Sequence, residues 1–216
     1  MSSLISHLIT QGIPQETLSY LLLTPLLATL IAFLRQIVGI KSLGVYYPLL
    51  LTFSFLGLGI ERGLIAYLLI VILANLITCL IKKIPLLYLP RLTIVVSITT
   101  IGLISLIYLF NFLGYSFELA QALPIIIILS LSDKLVSVQI KKNFKSTLII
   151  VLSALATAVA GFYLMNIEWL KLTVLQYPLS FLLIVLIINI SLGRFRGLRV
   201  SELWRFRHLL KLPPKD

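Results

Sequence analysis

The chain is poor in the side chains that carry most chemistry. It has one cysteine, two histidines and seven acidic residues among 216. The lone Cys79 excludes an internal disulfide, and no identifiable base accompanies it to activate a thiol. His7 and His208 stand near opposite ends of the chain, so neither has a histidine neighbour in sequence for metal binding. No HExxH, Walker loop, GxSxG or paired-cysteine spacing is present, which removes the usual signatures of zinc hydrolases, nucleotide hydrolases and serine hydrolases. No catalytic residue, cofactor or metal site is therefore expected. Charge is scarce too: Asp, Glu, Lys and Arg make up 12%, against about a quarter in soluble domains.

Aliphatic residues fill the space. Hydrophobic residues are 60% of the chain and the mean hydropathy is +1.11. A water-soluble core of this size could not hide that much apolar surface, so lipid must solvate most of it. Seven apolar runs are predicted as spans: 18–34, 43–60, 63–81, 92–112, 119–131, 147–165 and 178–192. The runs are continuous rather than alternating, which argues for helices and against barrel strands. The expected fold is an all-α polytopic membrane protein of seven transmembrane helices. Residues 1–17 form an extracytoplasmic segment, 18–193 the membrane domain and 194–216 a basic cytoplasmic tail. Met1 to Gln11 lack Lys, Arg and a small-residue cleavage pattern, so the first span is expected to serve as an uncleaved signal.

The excess of eleven positive charges is distributed for a membrane rather than for nucleic acid, since no aromatic-interleaved basic face or nucleic-acid motif occurs. Net charge along the successive non-spanning segments runs −1, +2, 0, +3, −1, +3, 0 and +5. That strict alternation, under the positive-inside rule, puts the N-terminus outside and the tail in the cytoplasm. The bilayer is thus the first partner, with the tail on its cytoplasmic side. Arg35, Lys41, Arg91, Arg194, Arg196 and Arg199 are the candidate inner-face basic contacts.

Two stretches match at an offset of 76 residues: PLLLTFSFLGLGIER from Pro48 and PIIIILSLSDK from Pro124. Each ends in an acid followed by a base, Glu61-Arg62 and Asp133-Lys134. A three-helix repeat unit would be inverted in its second copy, leaving one leading helix and two opposed units. Inverted repeats with short, Pro-interrupted segments point to a transporter-like centre. In strings this rich in Leu and Ile a chance match is as good an account. The acid-base pairs likewise have two readings, a solvated loop pair or an ionisable group at membrane depth.

Smaller features read as packing. Ser153, Thr157 and Gly161, then Ala154 and Ala158, and Ala156 and Ala160, recur at intervals of four, which lets helix backbones approach closely. Asn75 and Asn189 are isolated amides suited to interhelical hydrogen bonds. In the tail, Trp204, Arg205 and Arg207 head a basic-aromatic segment. It suits anionic headgroups, or a cytoplasmic partner.

Three stretches carry a family resemblance. LTPLLATLIAFLRQIVGIKSLGVYYPLLLTFSF (Leu23 to Phe55), YLPRL (Tyr88 to Leu92) and LGRFRGLRVSELWRFR (Leu192 to Arg207) resemble a bacterial seven-helix domain usually fused to an inactive transglutaminase-like domain. The second domain is missing from the pattern here, so a free-standing membrane module is expected. Gly39 to Phe53 also resembles, more faintly, the membrane subunit of poly-gamma-glutamate synthases. The resemblance implies ATP-grasp peptide ligases and retropepsin-like proteases as neighbours. It implies a non-enzymatic subunit that anchors such a ligase and exports a peptide-like anionic product. An autonomous secondary transporter of a small solute or ion is the alternative.

Overall fold

The computed structural model describes residues 9–40, 43–81, 87–112, 121–141 and 144–194, together with His7, Ile84 and Gly114. Among these, every regular element is a helix. Lipid requires this, because a helix satisfies its backbone donors and acceptors internally. The helices are α1 (Gln15–Phe33), α2 (Tyr46–Leu58), α3 (Ile60–Ile81), α4 (Tyr88–Phe112), α5 (Ala122–Lys141), α6 (Phe144–Met165), α7 (Glu168–Gln176) and α8 (Pro178–Arg194). A π-helical turn, Leu34–Val38, extends α1, and Gly39 ends it with φ +86°, a conformation glycine adopts without steric cost.

Four helical stretches, Gln15–Val38, Ile60–Ile81, Tyr88–Phe112 and Ser146–Met165, are long and apolar enough to cross a membrane. A fifth results if α7 and α8, bent by 107°, count as one broken span. That is fewer than the seven crossings expected from hydropathy and loop charge, and the differences have local causes. The run at 43–60 yields only the 13 residues of α2, about 20 Å at the helical rise. The run at 119–131 becomes α5, which continues through Asp133 and Lys134 to Lys141. The sixth connection, which sequence treats as a loop, contains α7.

Glu61-Arg62 and Asp133-Lys134 are therefore not loop pairs. Glu61 and Arg62 lie in the first turn of α3, where a carboxylate suits the positive end of the helix dipole. Gly59 alone separates α2 from α3, with φ +81°, and its carbonyl accepts the Gly63 amide at 3.0 Å. One residue thereby ends one helix and starts the next.

The chain divides into two compact units, Met1–Val45 with Tyr163–Asp216, and Tyr46–Phe162. This division does not follow the boundary of the 76-residue match, since both proline segments fall in the second unit.

In the second unit α3 packs against α2, α4 and α5, and α2 against α5. Its core includes Ala74, Ile77, Ile81, Val95 and Val136. Phe55 and Tyr67 meet edge to face with centroids 6.5 Å apart. On α6, Ala154, Ala158, Thr157 and Gly161 are buried, whereas Ala156 and Ala160 are exposed. Only two of the three small-residue series thus serve packing. Thr52 Oγ1 donates to the Ala158 carbonyl at 3.2 Å, an approach that bulkier side chains at this face would prevent.

In the first unit α1 packs against α7 and α8. Asn189 Nδ2 donates to Thr29 Oγ1 at 2.7 Å, the interhelical bond expected of that amide. Gln36 Nε2 donates to the Leu192 carbonyl at 2.7 Å. The pairs Thr29–Asn189 and Gln36–Leu192 advance together along both helices, so α1 and α8 run parallel. The loop-charge topology requires the same of them, because both should pass from outside to inside.

Candidate functional site

The second unit brings together two features that sequence reading kept apart. Tyr88 opens α4 and belongs to the YLPRL motif; Asp133 lies in α5, in the acid-base pair of the internal match. The Tyr88 hydroxyl donates to an Asp133 carboxylate oxygen at 2.8 Å. Asp133 is half-buried and Lys134 exposed, so the helix turns the acid toward α4 and the base away. Beside them Ser132 is fully buried, and its Oγ has no hydrogen-bond partner. A buried hydroxyl left unpaired costs about 1–3 kcal/mol, so this position is costly to keep polar. Arg91, one turn along α4 from Tyr88, is half-buried.

The other proline segment packs against the same helix. A Cβ built on Gly57 of α2 would lie 2.4 Å from Cγ of Pro124 in the first turn of α5. The two matched segments are therefore in direct contact, the C-terminal end of α2 against the N-terminal end of α5. Pro48 is buried. Glu61 is exposed and Arg62 half-buried, and neither is brought to Asp133 by any described contact.

Sequence reading missed two further polar groupings. Tyr47 and Tyr67 are buried, with their hydroxyls 3.3 Å apart. In a lipid-solvated bundle each phenol then has a partner where water cannot supply one. Alternation of aromatic and aliphatic residues in YYPLLLTF offers no signal for that pairing. In the first unit, Lys171 Nζ lies 3.3 Å from Tyr20 Oη and 3.4 Å from Asn166 Oδ1. It also stands 4.8 Å from the Tyr20 ring centroid, within cation–π range. Next to it is a shallow cleft of about 330 Å³ lined by Gln15, Glu16, Ser19, Glu168, Lys171, Leu172 and Leu175. In sequence the charges of Glu168 and Lys171 cancel, so this stretch contributes one of the two zeros in the series of connection charges.

Among the inner-face candidates, Arg35 lies exposed in the π-helical turn and Arg194 exposed at the end of α8. Lys41, Arg196, Arg199, Trp204, Arg205 and Arg207 lie outside the described residues. Cys79 is exposed, near the end of α3. No group of three or more His, Cys, Asp or Glu suited to a metal occurs among the described residues.

Long apolar helices, outward-facing leucines and isoleucines, and polar groups paired within or between helices define a helical integral membrane protein. The chain belongs to the family described as seven transmembrane helices usually fused to an inactive transglutaminase, whose profile matches residues 3–210. The resemblance of the three sequence stretches is thereby upheld. No curated protein and no solved structure matches the chain.

Proposed function

We propose that this protein is a non-catalytic membrane subunit that partners a cytoplasmic ATP-grasp-type peptide ligase. It would anchor the ligase at the inner face and let a peptide-like anionic product pass outward. On this reading α1 to α6 and α8 are the seven crossings, the N-terminus is outside and the C-terminus is in the cytoplasm of a bacterial inner membrane. The observation that carries the reading is the family membership, together with the clustering of Lys and Arg in alternate connections and the tail. A basic inner vestibule concentrates a polyanion by focusing its field in a low-dielectric surround. Arg35, Lys41, Arg91 and Arg194 are the contacts assigned to that role. Co-expression with a ligase encoded beside the gene tests it. The ligase should co-purify with the membrane protein, and deleting the membrane protein should trap product in the cell. Independent purification with unchanged product release would refute the proposal.

A second reading is supported by the Tyr88–Asp133 pair beside the unpartnered Ser132 hydroxyl. An autonomous secondary transporter coupled to protons or sodium needs a carboxylate with polar neighbours in the membrane domain. Asp133→Asn should then abolish coupled uptake into vesicles while Glu61→Gln leaves it intact. Uptake unchanged in both variants would eliminate this alternative.

A further inference from the structure

We propose that α7 lies in the plane of the membrane at its extracytoplasmic boundary, with its Trp169–Leu172 face seated among phospholipid headgroups and glycerol esters. The nine residues of α7 segregate sharply. Val174 and Leu175 are buried, at 0% and 3% exposure, and Leu175 packs with Leu18. On the opposite side, at the three- and four-residue spacings of one helical face, stand Trp169, Leu172, Thr173 and Gln176. Trp169 is 66% and Leu172 62% exposed, and Tyr177 just beyond them is 58% exposed. This face is unlike the lipid-facing side of a spanning helix, because it mixes a tryptophan and a leucine with a threonine and an amide. It is also unlike a water-facing side, which would not leave both large apolar groups bare.

The bend supplies the orientation. α8 carries Leu183, Ile184, Leu186, Ile187 and Ile190, all more than half exposed, a surface suited to acyl chains. α7 turns 107° from α8, so when α8 stands across the bilayer α7 lies close to its plane. Tyr177 sits at the corner and joins the exposed face of α7 to the acyl-facing surface of α8. Trp and Tyr favour this boundary, where an apolar ring and a polar N–H or O–H both find suitable surroundings. Interfacial helices seat their apolar face roughly 5–10 Å into the headgroup–acyl boundary. Lys171 does not oppose this placement. Its ammonium is drawn to the protein side by Tyr20 and Asn166, away from the Trp169 face. The arrangement would fix the depth of α8 as a float fixes a line.

The chain has two tryptophans, which makes the test direct. A Trp204→Phe variant, with Trp169 as sole reporter, is reconstituted in vesicles of phosphatidylcholine brominated either near the ester end or near the terminal methyl. Trp169 emission should be blue-shifted from its position in water and quenched more by the ester-end bromines than by the methyl-end ones. Water-like emission with no bromine quenching would overturn the proposal and make α7 a solvated connection. Strongest quenching from the methyl end would also overturn it, in favour of a re-entrant segment. Blue-shifted emission insensitive to either bromolipid, but lost on dilution in the bilayer, would assign the face to a second copy and likewise overturn it.

Discussion

Replacing Gly57 with alanine tests whether the two proline segments truly abut. The added Cβ would lie 2.4 Å from Cγ and 3.3 Å from Cβ of Pro124. A pyrrolidine ring cannot swing aside as the end of a leucine could, so α2 or α5 must move. Overpacking of this kind costs about 1–3 kcal/mol. Alanine is better than glycine inside a helix by about 1 kcal/mol, so the net destabilisation should be roughly 0–2 kcal/mol. The intrinsic gain is separable. Gly193 lies in the last turn of α8 with nothing within 4 Å of a built Cβ, so Gly193→Ala carries the propensity gain without the clash. Sodium dodecyl sulfate titration in mixed micelles, read by far-ultraviolet circular dichroism, should place Gly57→Ala below Gly193→Ala by about 1–3 kcal/mol. Pro124→Ala removes the ring, and the double variant Gly57→Ala/Pro124→Ala should recover most of that difference as coupling energy. Equal unfolding midpoints for the two glycine variants, or a Gly57→Ala penalty untouched by Pro124→Ala, would refute the contact.

Other predictions follow from polar pairs and from topology. Tyr47→Phe or Tyr67→Phe alone strands the opposite hydroxyl in an apolar surround and should cost about 1–3 kcal/mol, whereas the double Phe variant should cost less than the sum; the same unfolding assay reads the cycle. Asn189→Leu removes the bond to Thr29 and should cost about 0.6 kcal/mol, the mean for such bonds in membranes, again read by denaturant midpoint. Gly102→Ala should cost less than Gly57→Ala, because the nearest atom to its built Cβ is the terminal Cδ1 of Leu73, which a rotamer change can withdraw. In a Cys79→Ser background, a membrane-impermeant maleimide added to intact cells should label Glu16→Cys, exposed in the first turn of α1, and not Arg194→Cys. Labelling of Arg194→Cys alone would reverse the topology.

Several features of this protein were legible from residue order alone. Continuous apolar runs dictate helices because lipid offers the backbone no hydrogen bonds, and every regular element among the described residues is helical. The parallel course of α1 and α8, read from their hydrogen bonds, is the one expected from the charge of the connections. The spacing of four marked Ala154, Ala158, Thr157 and Gly161, which are buried, but equally Ala156 and Ala160, which are exposed. Helix ends were less legible. Hydropathy stops at Asp133 because a carboxylate is costly in lipid, yet backbone hydrogen bonding carries α5 on to Lys141. The same measure extended the second run over 43–60, beyond the helix at Tyr46–Leu58, because it counts apolar residues on both sides of the helix whether or not the backbone is helical there.

Tertiary structure decided the rest. Asp133 acquires a donor from Tyr88, 45 residues away, only because α4 and α5 pack together. Tyr47 finds Tyr67 through the tight reversal at Gly59, and Lys171 is held by side chains from α1 and from the end of α6. Each of these is a polar group satisfied by a partner distant in sequence, which no local periodicity encodes. Residue order determined that the chain is helical and membrane-embedded, since solvation by lipid acts on each segment separately. Which polar atoms meet, and that α7 folds back across the end of α8, depended on the three-dimensional packing of helices whose apolar surfaces are individually almost interchangeable.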